Sequence, residues 1–170
     1  MLRKLALPVL ALLAVPAIAS AQFEAGNYEV TLSGSASAPR SATALQAGAQ
    51  GSLGYFVTKE LEVSVRQSVT YLSDTNTGPG VPNNFWGGST LGAMDYHFDL
   101  GAFQPFVGAF GGYEYPGAGH SFAAVGPEAG LKYFVNGTTF VFMSVGYEYA
   151  LNKPAQNSFF TSTLGVGFKF

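Results

Sequence analysis

The chain is 170 residues long, carries a formal net charge of −2, has 11% charged residues and contains no cysteine. Disulfides and thiolate metal sites are therefore excluded, and with no basic stripe nucleic acid is a poor partner. Disorder is excluded as well, because it needs low hydrophobicity and high net charge, whereas 48% of the residues here are hydrophobic.

The first residues read as an address. Arg3 and Lys4 precede an apolar segment at 5–15, Pro16 breaks it, and Ala19, Ser20 and Ala21 offer a peptidase the small residues it needs. Residues 1–21 are expected to be a signal peptide cleaved before Gln22, leaving a single domain at 22–170. The segment is too short for a spanning helix, which wants about 20 apolar residues.

After it, apolar and polar residues alternate with period two in eight runs, near 23–33, 44–57, 61–72, 89–100, 103–115, 123–136, 138–150 and 159–170. Helical periodicity is not sustained, and no linker divides the chain. Three connections are tight: Thr58-Lys59-Glu60, the turn at Leu100-Gly101-Ala102, and Asn136-Gly137, a hairpin dipeptide. Four are longer, at 34–43, 73–88, 116–122 and 151–158. Short turns alternating with long loops are the layout of an antiparallel transmembrane β-barrel, with the turns periplasmic and the loops extracellular.

Splitting each run by parity separates two faces. One is apolar, as in Tyr28, Val30 and Leu32 or Leu61, Val63 and Val65, with Gln67 its most polar member. The other holds Glu29, Glu62, Arg66, Asp95, His97, Glu114, Glu128, Lys132, Glu148 and Lys169, interleaved with glycines such as Gly108, Gly126, Gly165 and Gly167. An eight-stranded barrel is only wide enough inside for its own side chains. Glycines therefore make room for long charged residues, and the charges, costly unless paired, are expected to form a network around Arg66 and Lys132. A soluble lipocalin-like barrel would invert the faces. Its calyx could not hold so bulky an apolar set, and its surface would be short of lysine.

Aromatics on the apolar parity sort to strand ends. Phe23, Tyr55, Phe98, Phe103, Tyr133, Phe168 and Phe170 fall at the turn side, and Tyr71, Tyr113, Tyr115, Tyr147, Tyr149 and Phe160 at the loop side. Two aromatic girdles mark the two bilayer interfaces. Trp86, in the second long loop, is expected to anchor that loop at the outer interface.

The segments SLGYFVTKELEV (52–63), QPFVGAFGGYEY (104–115), GPEAGLKYFVN (126–136) and the ending LGVGFKF (164–170) resemble the OmpA/OmpX-like outer-membrane β-barrel family over nearly all of the mature chain. The resemblance implies residence in the outer membrane and insertion by the barrel-assembly machinery. That machinery would read a C-terminal signal formed by Leu164, Val166, Phe168 and Phe170. The chain departs from full-length OmpA in ending at Phe170, so wall anchoring is not carried over.

Other constellations are weaker. Asp95, His97 and Asp99 share a face but give too few ligands for a metal site. His120 and Ser121 are a poor nucleophile couple, because adjacent strand residues point to opposite faces and no third residue orients the histidine. No cofactor motif is present. The expected role is structural, in envelope integrity or in surface interaction through loops 34–43 and 73–88, with a narrow ion or solute channel as the alternative and a lipid-modifying enzyme third. If Phe170 acts as a signal, deleting it will reduce assembly in cells far more than refolding in vitro. Equal losses in the two settings would reduce its role to packing.

Overall fold

A computed structural model of the chain describes residues 23–37, 44–74, 84–116, 120–151 and 158–170. The proposed signal peptide and parts of all four long loops lie outside them. Eight antiparallel strands close a barrel in sequence order: β1 Tyr28–Ser37, β2 Ala44–Phe56, β3 Leu61–Asp74, β4 Asn84–His97, β5 Phe103–Tyr115, β6 Phe122–Phe134, β7 Thr139–Ala150 and β8 Phe159–Lys169. The seam runs between β1 and β8, from Glu29↔Lys169 to Gly34↔Leu164. Beyond it Tyr28 and Phe170 exchange two backbone bonds at 3.2 and 2.9 Å. The sheet thus closes on itself, which is the condition for a sheet to sit in hydrocarbon.

Three readings of the sequence change. The first strand starts at Tyr28 instead of 23, because residues 24–27 form a turn with Gly26 at φ 94° and its N–H donating to the Phe56 carbonyl at 2.8 Å. β4 begins at Asn84, so Phe85 and Trp86 belong to a strand and not to a loop. The third change concerns Asn136-Gly137. A hairpin forms there, but Gly137 is not among the positive-φ glycines. The Asn136 side chain holds the turn instead, its Oδ1 accepting from the N–H groups of Thr138 and Thr139 at 2.9 and 2.8 Å. An asparagine side chain that mimics a backbone turn removes the need for a left-handed glycine.

The outward parity is apolar on every strand: Val65 is 60% exposed, Met94 54% and Leu164 68%. An apolar exterior this continuous belongs in lipid, not in water. Gln67 fits because its polarity is consumed locally. Its amide donates to the Tyr115 hydroxyl, which bonds Thr90 Oγ1 at 2.7 Å, and Thr90 donates back to Gln67 Oε1 at 2.7 Å. Across neighbouring strands, aromatic rings meet at both ends. Tyr28–Tyr55 and Phe103–Tyr133 contact at 5.1 and 4.8 Å on the turn side, and Tyr71–Trp86 and Tyr147–Phe160 at 5.0 and 4.7 Å on the loop side. Phe98 and Tyr113 are likewise exposed at opposite ends of the barrel. Phe23 departs from its expected outward position. It is 3% exposed and lies inside the barrel.

Val65→Arg would place a guanidinium on the lipid face near mid-strand and is expected to cost about 2–4 kcal/mol of stability. Equilibrium unfolding in lipid vesicles measures this, and an unchanged midpoint would mean that Val65 does not face lipid.

Candidate functional site: the filled lumen

The lumen is built in layers. At the turn end, Phe23, Phe56, Phe134, Phe140 and Phe142 form a buried cluster. Phe23 stacks on Phe56 with centroids 3.8 Å apart and meets Phe134 edge-on at 5.3 Å. The chain before β1 thus folds back beneath the barrel and inserts a ring into it. His97 joins the cluster, 5.2 Å from Phe56 and 5.3 Å from Phe106.

Above the rings lies Lys132, whose ammonium donates to Glu29 Oε2 at 2.6 Å and Glu62 Oε2 at 2.9 Å. It also sits 5.1 to 5.7 Å from the centroids of Phe23, Phe140, Phe56 and Phe106. A buried ammonium survives only when its charge and its protons are answered; here carboxylates and π-faces share that work. Glu62 also accepts from His97 Nε2 at 3.0 Å. That bond puts the ring proton on Nε2, and Nδ1 is left without a hydrogen-bond partner among the described residues.

The next layer centres on Arg66, which donates through Nη2 to Asp95 Oδ2 at 2.7 Å and through Nη1 to Glu128 Oε2 at 2.8 Å. These three residues come from β3, β4 and β6, so the guanidinium bridges across the lumen. Above it the barrel widens into a cavity of about 180 Å³, lined by Glu114, Glu148, Arg66, Glu128 and several serines and threonines.

Glycines on the lumen parity make this filling possible. A Cβ on Gly54 would collide with Glu62, on Gly108 with Asp95, and on Gly130 with Phe106. On β8, a Cβ on Gly165 would approach Phe142 to 2.7 Å, and one on Gly167 would strike Phe140. Each of these side chains occupies space that a neighbouring strand gives up.

Of the charges singled out in the sequence, the structure brings Glu29, Glu62, His97 and Lys132 into one cluster and Arg66, Asp95 and Glu128 into another. Glu114 and Glu148 stand apart in the outer cavity. Lys169 lies at the turn end, 5.8 Å from the Phe23 ring. Asp95, His97 and Asp99 do not converge, since Asp99 instead accepts from the Gly101 N–H at 3.0 Å in the turn. His120 and Ser121 are exposed just before β6. Sequence reasoning missed the aromatic plug. Phe56, Phe106, Phe134, Phe140 and Phe142 all carry the lumen parity of their strands, so the signal was present. Phe23 lies outside any strand, although its odd position matches that of Glu29 within the expected 23–33 run.

No protein-family model matches the chain, and no curated protein matches it. Solved structures do. The N-terminal β-barrel domain of OprF from Pseudomonas aeruginosa superposes with a TM-score of 0.60 at 21% identity, over 88% of this chain and 100% of that one. The fold is that of the small outer-membrane β-barrels. OprG from the same bacterium gives a TM-score of 0.59 at 14% identity, covering 88% of this chain and 98% of that one. The attachment invasion locus protein Ail of Yersinia pestis gives 0.52 at 14% identity, covering 85% and 99%. At these identities the likeness speaks for the fold, and the contents of this barrel are read from its own side chains.

Arg66→Ala would leave Asp95 and Glu128 buried without their partner and is expected to cost about 3–5 kcal/mol. The loss will shrink on acidification, because a protonated carboxyl no longer needs a cation, whereas the Val65→Arg loss will not. Urea unfolding in vesicles at neutral and acidic pH measures both. A pH-independent Arg66→Ala loss would rule out these ion pairs as its source.

Proposed function

We propose that the chain is an integral outer-membrane protein whose lumen-filled barrel serves the envelope structurally or through surface contacts, and not as a conduit. One observation carries this reading. Five phenylalanines and the Lys132–Glu29–Glu62 cluster fill the turn end of the lumen. For an ion to pass, a stacked aromatic pair would have to separate and a buried ammonium lose both carboxylates. On this reading, lipid contacts the apolar exterior, with Tyr55, Tyr71, Phe98, Tyr113, Tyr133, Tyr147 and Phe160 at its two margins. The barrel-assembly machinery acts during insertion through Leu164, Val166, Phe168 and Phe170. Surface partners would meet the two long connections expected at 34–43 and 73–88, of which 38–43 and 75–83 fall outside the described residues and the rest is strand.

A channel is the second reading, favoured by the cavity of about 180 Å³ above the Arg66 layer. Planar-bilayer recording separates the two. Wild-type protein is expected to show no unitary conductance, and the double variant Phe23→Ala/Phe140→Ala to acquire one by emptying the plug. Steady conductance in the wild type would replace the structural reading with the channel.

A further inference from the structure

The seam between β1 and β8 is shorter than the strands it joins. Its pairing ends at Gly34↔Leu164, although β1 stays paired to β2 as far as Ser37↔Gln46 and β8 to β7 as far as Phe159↔Glu148. In continued register Ser35, Ala36 and Ser37 would meet Thr163, Ser162 and Thr161, and these pairs do not form. At about 3.3 Å per residue, the wall is open over about 10 Å of strand. The opening lies on the membrane side of the Tyr147↔Phe160 pair, just inside the loop-side girdle. The outer cavity reaches it. Thr161 and Thr163, on the lumen parity, line that cavity, and so do Gly34, Ala49, Phe160 and Ser162, which carry the lipid-facing parity of their strands. A cavity confined to the lumen would touch only the first set.

We propose that this opening is a side entrance from the outer leaflet, through which the cavity takes the uncharged, hydroxyl-rich head of a single-chain amphiphile while the chain stays in the bilayer. At membrane depth, backbone groups without a ladder are tolerated only where they line a water-filled cavity. The cavity of about 180 Å³ behind the gap provides that setting. A head entering there meets donors and acceptors together, from the two strand edges and from the hydroxyls of Thr161 and Thr163. A hydroxyl both donates and accepts, so it matches such an edge. Charge excludes an anionic head. Glu114, Glu128 and Glu148 line the cavity, and Arg66, the cation lining it among the described residues, is already shared between Asp95 and Glu128. Outside, Gly34 and Ala49 are cross-strand neighbours that leave a shallow place on the lipid face, flanked by the exposed Leu32 and Phe160. The chain of the amphiphile packs there. The Arg66 layer and the phenylalanine plug close the route below, so the amphiphile is held and not passed through the barrel.

The test uses the full barrel refolded into phospholipid nanodiscs, titrated with monolauroylglycerol and read by the NMR shifts of the backbone amides. Saturable shifts are expected at Gly34, Thr161 and Thr163, and neither laurate nor glycerol at the same concentration is expected to produce them. Gly34→Phe covers the opening from outside, where an added Cβ has its nearest neighbour at 3.8 Å. It is expected to weaken binding by about tenfold or more. Thr163→Val keeps the side-chain shape without the hydroxyl and is expected to weaken it by about threefold or more. Gly92→Phe, at an equally open outward glycine of β4, is expected to bind as the wild type does. Heat-modifiable gel mobility reports that each variant is folded. The proposal is overturned by absence of saturable shifts, by an equal response to laurate, or by binding unchanged in both Gly34→Phe and Thr163→Val. Lumen shifts produced by glycerol alone also overturn it, because the head would then enter through the barrel mouth.

Discussion

Closure of the hydrogen-bond ladder is the constraint on which the rest depends. In hydrocarbon an unpaired backbone N–H or C=O costs several kcal/mol, so the sheet must return to its own first strand. Here β8 pairs with β1, and the clasp between Tyr28 and Phe170 completes the turn end of the seam. Once eight strands close, the interior width is set, and it is narrow. Everything inside must then fit, and every charge inside must find a partner in the same confined space. The two ion clusters, the phenylalanine plug and the lumen glycines all follow from that width.

Much of this was legible in the sequence because a strand has period two and a closed barrel leaves its side chains only two environments. Val65 and Arg66 are adjacent and face opposite media. Strand parity also put Glu29, Glu62 and Lys132 on one surface, although they come from three strands that are distant in sequence. Which carboxylate meets which cation was not legible. Pairing across the lumen depends on how strands stagger around the barrel, and alternation along one strand carries no information about that. Hence Lys132 could be assigned to the interior but not to Glu29 and Glu62, and Arg66 not to Asp95 and Glu128.

The misplaced elements have local physical causes. Trp86 reads as loop in the sequence because prolines and asparagines crowd the residues before it, yet Tyr71 opposite supplies a cross-strand aromatic partner that extends the ladder. Phe23 groups with the lipid-facing girdle aromatics in the sequence, although its odd position is that of Glu29 and not of Tyr28. The turn that follows it, with Gly26 in a left-handed conformation, redirects the chain under the barrel mouth. A side chain outside a strand has no parity, and its environment is decided by the turn that carries it.

The pairing of glycines with large neighbours has a consequence for how such a sequence can drift. Gly108 faces Asp95, Gly54 faces Glu62, and Gly167 faces Phe140, each pair joining adjacent strands. Interior volume is thus allocated to couples of positions instead of to single residues. Enlarging the glycine alone overfills the couple, and shrinking its neighbour alone leaves a void or an orphaned charge, so each single step is disfavoured in its own way. Exchanging the two sizes together conserves the volume of the couple. Homologous lumens can therefore diverge by reciprocal swaps across a strand pair, so that residues facing each other inside change together while the lipid-facing residues between them vary independently.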